Sequence, residues 1–356
     1  MIRIKARAPG RRMLALGLPT AWGAAAIAYK LACPLGRQDG LGARLVTSAV
    51  FFAVGTGLMF HVRRVLLREL EQAREVAGAA QSALLRPLPP RVDGLRVAAA
   101  QLAADRGASV GGDLYDVVAT EHGVRAVMGD VRGHGIGAIP TVAAVLGSFR
   151  EAAHDEPDLD RVLRRLDRAL ARHLRERGRT EAGGALSEEF VTVLLLEIDR
   201  DGRMRALNCG HPWPYRLRGA EVEPLSVAEP LPPLGPFPLP PELPAAPCGE
   251  LRHGEALFLH TDGAEDARDA QGRFFPLDLV LAEALSAGTR TPQALLGAVF
   301  TRLLRHTQGT PADDVAFLVV RNERLLGRPS GARGSAAGDT PSAPPRSVGQ
   351  ATRRTA

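Results

Sequence analysis

The 356-residue chain has little cysteine: Cys33, Cys209 and Cys248 only, none spaced as a CxxC pair. That odd, unpatterned set argues against a disulfide framework or a zinc site and fits a reducing compartment. Aromatic residues make up 4% of the chain, so few rings are available for nucleobases to stack on. Positive charge is present but badly placed for a nucleic-acid partner. The formal net charge is +6, yet residues 1–12 hold five basic groups and no acid, and residues 321–356 hold seven arginines against Glu323 and Asp339. Residues 13–320 are left mildly acidic, at about −4. No nucleic acid is expected as a partner.

The N-terminus holds two apolar runs, at about residues 13–30 and 45–61. Each is near the short end of what spans a bilayer. Arg3, Lys5, Arg7, Arg11 and Arg12 precede the first run, and Arg63, Arg64 and Arg68 follow the second. The connection between them is short and carries little charge. The positive-inside rule then puts both termini in the cytoplasm and the connection outside. A cleaved signal peptide ending at Cys33 is the competing reading. Against it, Lys30 sits where such a signal needs an apolar residue, and a second hydrophobic segment follows at once. Residues 1–62 are therefore read as a membrane anchor with two transmembrane helices.

Residues 63–90 read as a juxtamembrane linker helix. Val65, Leu66, Leu70, Ala73, Val76 and Ala80 recur at helical spacing among charged residues. Such a stripe suits either a two-stranded seam, which would make a homodimer through the linker helix, or packing on the chain's own domain. Arg86-Pro87-Leu88-Pro89-Pro90 breaks the helix. Strands are expected at residues 95–104, 114–119, 124–129, 190–199, 204–209, 256–261 and 315–320, two of the connections being hairpins. Helices are expected at residues 141–153, 158–177, 276–285 and 292–307. The proline-crowded residues 224–247 suit a surface crossover. This pattern predicts an α+β domain over residues 91–322, with helices covering the faces of antiparallel sheets. Residues 323–356, rich in Gly, Ser, Pro and Arg, are expected to be a disordered tail.

Acidic residues gather at the predicted strand ends. Asp113 and Asp116 open one strand, Asp130 closes the next, Asp262 follows a third, and Asp313 and Asp314 precede the last. Carboxylates at strand ends can converge on one edge of a sheet although far apart in sequence. An all-oxygen set suits Mg²⁺ or Mn²⁺ rather than zinc. Two such ions sharing a carboxylate activate a water and stabilise a phosphoryl-transfer transition state. Taken singly, each Asp reads rather as a turn or cap residue; it is the four sites together, in this order, that point to a metal.

Five motifs in order carry a family resemblance: GGDLYD from Gly111, GDVRGHG from Gly129, NCGHPWPY from Asn208, TDGAEDARD from Thr261 and ADDVAFLVV from Ala312. Together they resemble the metal-dependent protein serine/threonine phosphatases of PPM type, and more closely their bacterial SpoIIE-like branch. The resemblance covers about residues 84–320. It implies a two-layer antiparallel β-sandwich flanked by helices, with two Mg²⁺ or Mn²⁺ ions at one end. It implies that Asp130 bridges both ions with the Val131 carbonyl assisting, that Asp262 and Asp313 serve one ion, and that Asp113 serves the other side, partly through water. Asp130 and Asp262 would then be catalytic through the water the ions activate. The implied protein is a phosphoserine/phosphothreonine phosphatase anchored in a bacterial cell membrane by two helices, its catalytic domain cytoplasmic. Its implied substrate is a phosphoprotein such as an anti-sigma-factor antagonist, in a sigma-factor or stress-signalling pathway.

The motifs also depart from the family pattern. Where the TDG motif usually reaches a Glu four residues after its Asp, this chain has Asp266, preceded by Glu265. Asp116 and Asp314 are open to water-mediated ligation or to structural roles. His134 and His211 are read as structural rather than as general acids. Arg132 is a candidate for the substrate phosphate, since a guanidinium presents a fork of donors. Two other classes remain: a catalytically weak phosphatase-fold scaffold or sensor at the membrane, and a different two-metal enzyme such as a nucleotide cyclase. The chain lacks the Gly-rich, Lys-bearing phosphate cradle the last would need.

Overall fold

A computed structural model describes residues 22–23, 41–102, 111–132, 137–180, 189–225, 227–309 and 311–324. The first apolar run, apart from Trp22 and Gly23, and the expected tail beyond residue 324 lie outside the described residues. The second apolar run and the linker are not two elements. They form one continuous 44-residue helix, α1 (Leu41–Leu84). No proline interrupts it, and a change from apolar to charged side chains does not by itself break a helix. Among the described residues one helix is long and apolar enough to cross a membrane, over Ser48–Gln72. Trp22 packs its ring against Phe51 of α1, centroids 5.3 Å apart.

After the break at Arg86-Pro87 the chain builds two antiparallel sheets. The first holds β1 (Arg91–Val92), β2 (Leu95–Leu102), β7 (Tyr215–Arg218), β8 (Glu221–Pro224), β10 (Ala256–His260) and β11 (Val315–Asn322), in the order β1-β2-β11-β10-β7-β8. The second holds β3 (Asp113–Thr120), β4 (Gly123–Val131), β5 (Val191–Ile198), β6 (Arg203–Cys209) and β9 (Ala246–Glu250), in the order β3-β4-β5-β6-β9. Helices α2 (Ile139–Asp155) and α3 (Leu159–Thr180) cover the second sheet; α5 (Leu277–Ser286) and α6 (Pro292–His306) cover the first. The single turn α4 (Asp262–Glu265) follows β10. The sandwich of antiparallel sheets with outer helices is the predicted architecture.

Strand alternation fills three cores. In β5, Val191, Val193 and Leu195 face α2 and α3, while Leu194, Leu196 and Ile198 lie between the sheets. In β11, Val315, Phe317 and Val319 face the α5–α6 pair, while Ala316, Leu318 and Val320 lie between the sheets. Strands buried on both faces read as continuous apolar runs, and each such Leu or Phe contributes roughly 1.5–3 kcal/mol.

The crossover differs from expectation at its end. Residues 246–250 form the edge strand β9, paired with β6. Pro247 is tolerated there because an edge strand needs only one ladder. Within the crossover Leu234 is fully buried and exchanges hydrogen bonds of 2.9 and 3.0 Å with Val191.

Candidate metal centre

The alternation that fills the space between the sheets continues one pleat beyond the core, where its residues turn polar. Met128 is followed in phase by Asp130, and Leu194 is preceded in phase by Thr192. On the facing sheet Leu259 leads to Thr261 and Ala316 is preceded by Asp314. In β3, Val117 is preceded in phase by Tyr115 and Asp113. Asp113, Asp130 and Thr192 are also register partners across β3, β4 and β5. All these side chains thus leave the strands at one end of the inter-sheet layer.

Asp113 and Asp314 are buried, Asp130 is half-buried, and Asp262 and Asp313 stand exposed at the mouth. Thr261 Oγ1 donates to Asp113 Oδ2 at 3.3 Å and accepts from the Ala316 amide at 2.9 Å. The Gly112 amide donates to Asp314 Oδ2 at 3.0 Å, and the Asp314 amide to Asp313 Oδ1 at 2.8 Å. Close packing of backbone shapes the floor. A Cβ on Gly263 would meet the Asp314 carbonyl oxygen at 2.0 Å, and one on Gly111 would meet the Asp314 carboxylate at 2.7 Å.

The electrostatics are those of gathered carboxylates. Burial, then the charges of Asp130, Asp314 and Asp262, push the Asp113 carboxyl well above its usual range. Burial, then Asp262, Asp313 and Asp314, push Asp130 up to about 8. Burial, Asp313 and Asp266 raise Asp262. An all-oxygen donor set whose members repel one another fits a hard divalent cation, which would favour the ionised forms. Among the described residues no three His, Cys, Asp or Glu side chains close on a common point at ligand distance. The acids surround the site without forming a finished coordination shell.

The other predicted residues divide. Arg132 lies beside the site, its amide donating to the Phe190 carbonyl at 2.9 Å and its guanidinium 5.3 Å from the Phe190 ring centroid. Val131 is buried, its amide bonded to the Gly112 carbonyl at 3.2 Å. Asp116 does not join the cluster: it binds Arg150 at 2.5 Å and the Val117 amide at 2.8 Å. Asp266 is exposed beyond α4, with its amide on the Asp262 carbonyl at 2.8 Å. His134 falls outside the described residues.

His211 is buried, and burial, then its neighbour His260, lowers the imidazole to about 3, so it stays neutral. His260 is likewise lowered by burial, with Glu265 opposing. It stacks on Tyr215, whose hydroxyl donates to Glu265 at 3.0 Å. Sequence reading missed Thr192, the polar member of an otherwise apolar strand up to Glu197; that interruption was the available signal.

Two antiparallel sheets, outer helices and an acidic cluster at one end of the inter-sheet layer define a phosphatase fold of the PP2C type. Residues 120–323 match the family SpoIIE, described as Stage II sporulation protein E, and the chain belongs to that family. The fold is similar to the SiaA-PP2C domain of Pseudomonas aeruginosa, with 19% identity and a TM-score of 0.56 over 72% of this chain and 98% of that one. It is also similar to the RsbU and RsbW domains of Rv1364c from Mycobacterium tuberculosis, with 24% identity and a TM-score of 0.52, covering 66% of this chain and 62% of that one. A third likeness is to the PP2C phosphatase domain, with a fragment of the regulatory domain, of SpoIIE from Bacillus subtilis. There the identity is 19% and the TM-score 0.51, over 64% of this chain and 63% of that one. The chain thus spans less than two thirds of the mycobacterial and Bacillus structures. No curated protein matches it.

Proposed function

We propose that the chain is a metal-dependent phosphoprotein phosphatase acting on phosphoserine and phosphothreonine, anchored at a bacterial membrane with its catalytic domain in the cytoplasm. The observation that carries this reading is the convergence of Asp113, Asp130, Asp262, Asp313 and Asp314 on one end of the sandwich, the first two raised by burial and then by neighbouring carboxylate charge. Asp130, with the Val131 carbonyl, would bridge two Mg²⁺ or Mn²⁺ ions; Asp262 and Asp313 would serve one and Asp113 the other. When bound, the ions supply Lewis acidity and a lowered water pKa.

The chain's own residues supply the rest. Asp113 and Asp314 sit at the dry floor, where low polarity strengthens every charge interaction. Exposed Asp262 and Asp313 leave the mouth open to a phosphoryl group on a protein surface. Arg132, steadied over Phe190 at the rim, offers a fork of donors to phosphate oxygens. A phosphoprotein substrate such as an anti-sigma-factor antagonist follows from family resemblance alone. Membrane attachment rests on the exposed apolar half of α1, and a homodimer through its polar half would fit the heptad-like stripe there.

Among the described residues no three carboxylates lie at ligand distance, which is the feature that would suit a scaffold or sensor instead. One experiment separates them. Full-length protein in detergent is assayed on an aryl phosphate and a phosphopeptide, with and without Mn²⁺, beside Asp130→Asn. Metal-dependent turnover lost in the variant is expected. Mn²⁺ binding without turnover on either substrate would favour the scaffold.

A further inference from the structure

His211, buried in the turn after β6, reaches back to β5 with its ring. Its Nδ1 lies 3.0 Å from Thr192 Oγ1, and the ring also meets the His260 backbone. A reciprocal pair of bonds with Asn208 fixes the backbone that carries the ring. The Asn208 amide group donates to the His211 carbonyl at 2.8 Å, and the His211 amide donates to Asn208 Oδ1 at 2.8 Å. Asn208 itself belongs to β6, paired opposite Leu194.

At the other end of this link, Thr192 is the register partner of Asp130. Its hydroxyl oxygen accepts from the Asp130 amide at 3.2 Å and lies 3.5 Å from the Asp130 carbonyl. A threonine hydroxyl has one proton to give. Here its two neighbours are the Asp130 carbonyl at 3.5 Å and His211 Nδ1 at 3.0 Å, and the shorter contact decides how the hydroxyl is turned. On the facing sheet Thr261 Oγ1 donates to the Asp113 carboxylate rather than to its backbone, and the hydroxyl is itself anchored by the Ala316 amide. The Asp130 side therefore depends on a side chain for what the Asp113 side takes from the main chain.

We infer that His211, through Thr192, is a positioning residue that fixes the backbone of Asp130 and so sets the affinity of the site for divalent metal. This rests on the metal-centre reading above. Groups that orient a metal ligand from behind typically change affinity by 10–100-fold when removed.

The test uses the full chain in detergent, with Mn²⁺ affinity by calorimetry and amide exchange of the Asp130 segment in metal-free protein. Thr192→Val keeps the shape and removes the hydroxyl; Thr192→Ser restores it. His211→Asn keeps a polar atom near the Nδ1 position, whereas His211→Leu does not. Expected are roughly 10–100-fold weaker Mn²⁺ binding and faster exchange in Thr192→Val and His211→Leu, with Thr192→Ser and His211→Asn close to wild type. The double variant Thr192→Val/His211→Leu should be no worse than Thr192→Val, because both act through one link. Wild-type affinity and exchange in His211→Leu would overturn the inference. If wild type bound no Mn²⁺ the metal reading would fall, while the exchange comparison would still decide whether His211 fixes Asp130. Thermal unfolding identifies any variant that fails to fold. If His211→Leu does, His211→Gln, whose amide sits nearer the Nε2 than the Nδ1 position, takes its place. It should show the same losses, wild-type values there overturning the inference.

Discussion

Asp113 and Asp130 are direct partners across the β3–β4 ladder, so two carboxylates leave the same face of one sheet side by side. The arrangement is unfavourable without a cation, and its pH dependence has a definite sign. Folded Asp130 keeps its proton up to about 8, whereas an unfolded Asp releases it near ~3.9. The metal-free folded state binds more protons across that window, so its stability falls as pH rises from about 4 to about 8. Asp130→Asn removes this contribution. Urea unfolding of metal-free protein should show wild type losing ~2–4 kcal/mol relative to Asp130→Asn between pH 5 and 8. A difference that is flat or of opposite slope would refute the assignment.

Gly263→Ala tests the floor of the site. The added Cβ would meet the Asp314 carbonyl oxygen at 2.0 Å, so α4 or the start of β11 must shift. We expect a loss of about 2–4 kcal/mol and Mn²⁺ binding weakened at least tenfold. Unchanged stability and calorimetry would show that the two segments are not in close contact.

Far from the site, Arg125 and Glu197 are both 1% exposed and pair at 2.7 Å. Arg125 also donates to the carbonyls of Ala153 at 2.9 Å, Glu156 at 2.5 Å and Pro157 at 2.6 Å, closing the C-terminal end of α2. Arg125→Met should destabilise the domain by about 3–5 kcal/mol, because Glu197 is left buried with Arg205 as its remaining partner. Thermal unfolding is the measurement; a loss under 1 kcal/mol would mean that Arg205 suffices.

Arg150 joins three elements. Its Nε lies 2.5 Å from Asp116 on β3, and its Nη2 donates to the Leu84 carbonyl, at the end of α1, at 2.6 Å. Arg150→Ala should lower stability by about 1–3 kcal/mol and speed proteolytic cleavage between residues 85 and 90. If α1 acts on the catalytic end through this contact, deleting residues 1–83 and Arg150→Ala should change phosphatase activity in the same direction. Opposite changes, or none, would argue against the coupling.

Much of this arrangement was legible in the chain. The apolar runs of β4, β5 and β11 and the glycine hairpins predicted the strands, and the acids at their ends pointed to one edge of the sheets. Three things were not. The edge strand β9 hides behind Pro247, since local residue preferences do not show which ladder a strand lacks. The union of span and linker in α1 was missed because a polarity change was read as a boundary. Thr192 looked like one polar residue in an apolar strand. Its role depends on His211, 19 residues later, and the chain brings the two together only by pairing β5 with β6.

The absence of a break in α1 has a mechanical consequence. A helix of 44 residues without proline is a shaft of about 66 Å, with no joint to absorb torque between its apolar half and its last carbonyl. Turning the shaft by one residue's angular step, about 100°, would swing the Leu84 carbonyl to another side of the axis, away from Arg150. Twist imposed on the apolar half would be delivered at the Leu84–Arg150–Asp116 contact on β3, three residues from Asp113, with no break in the helix before it.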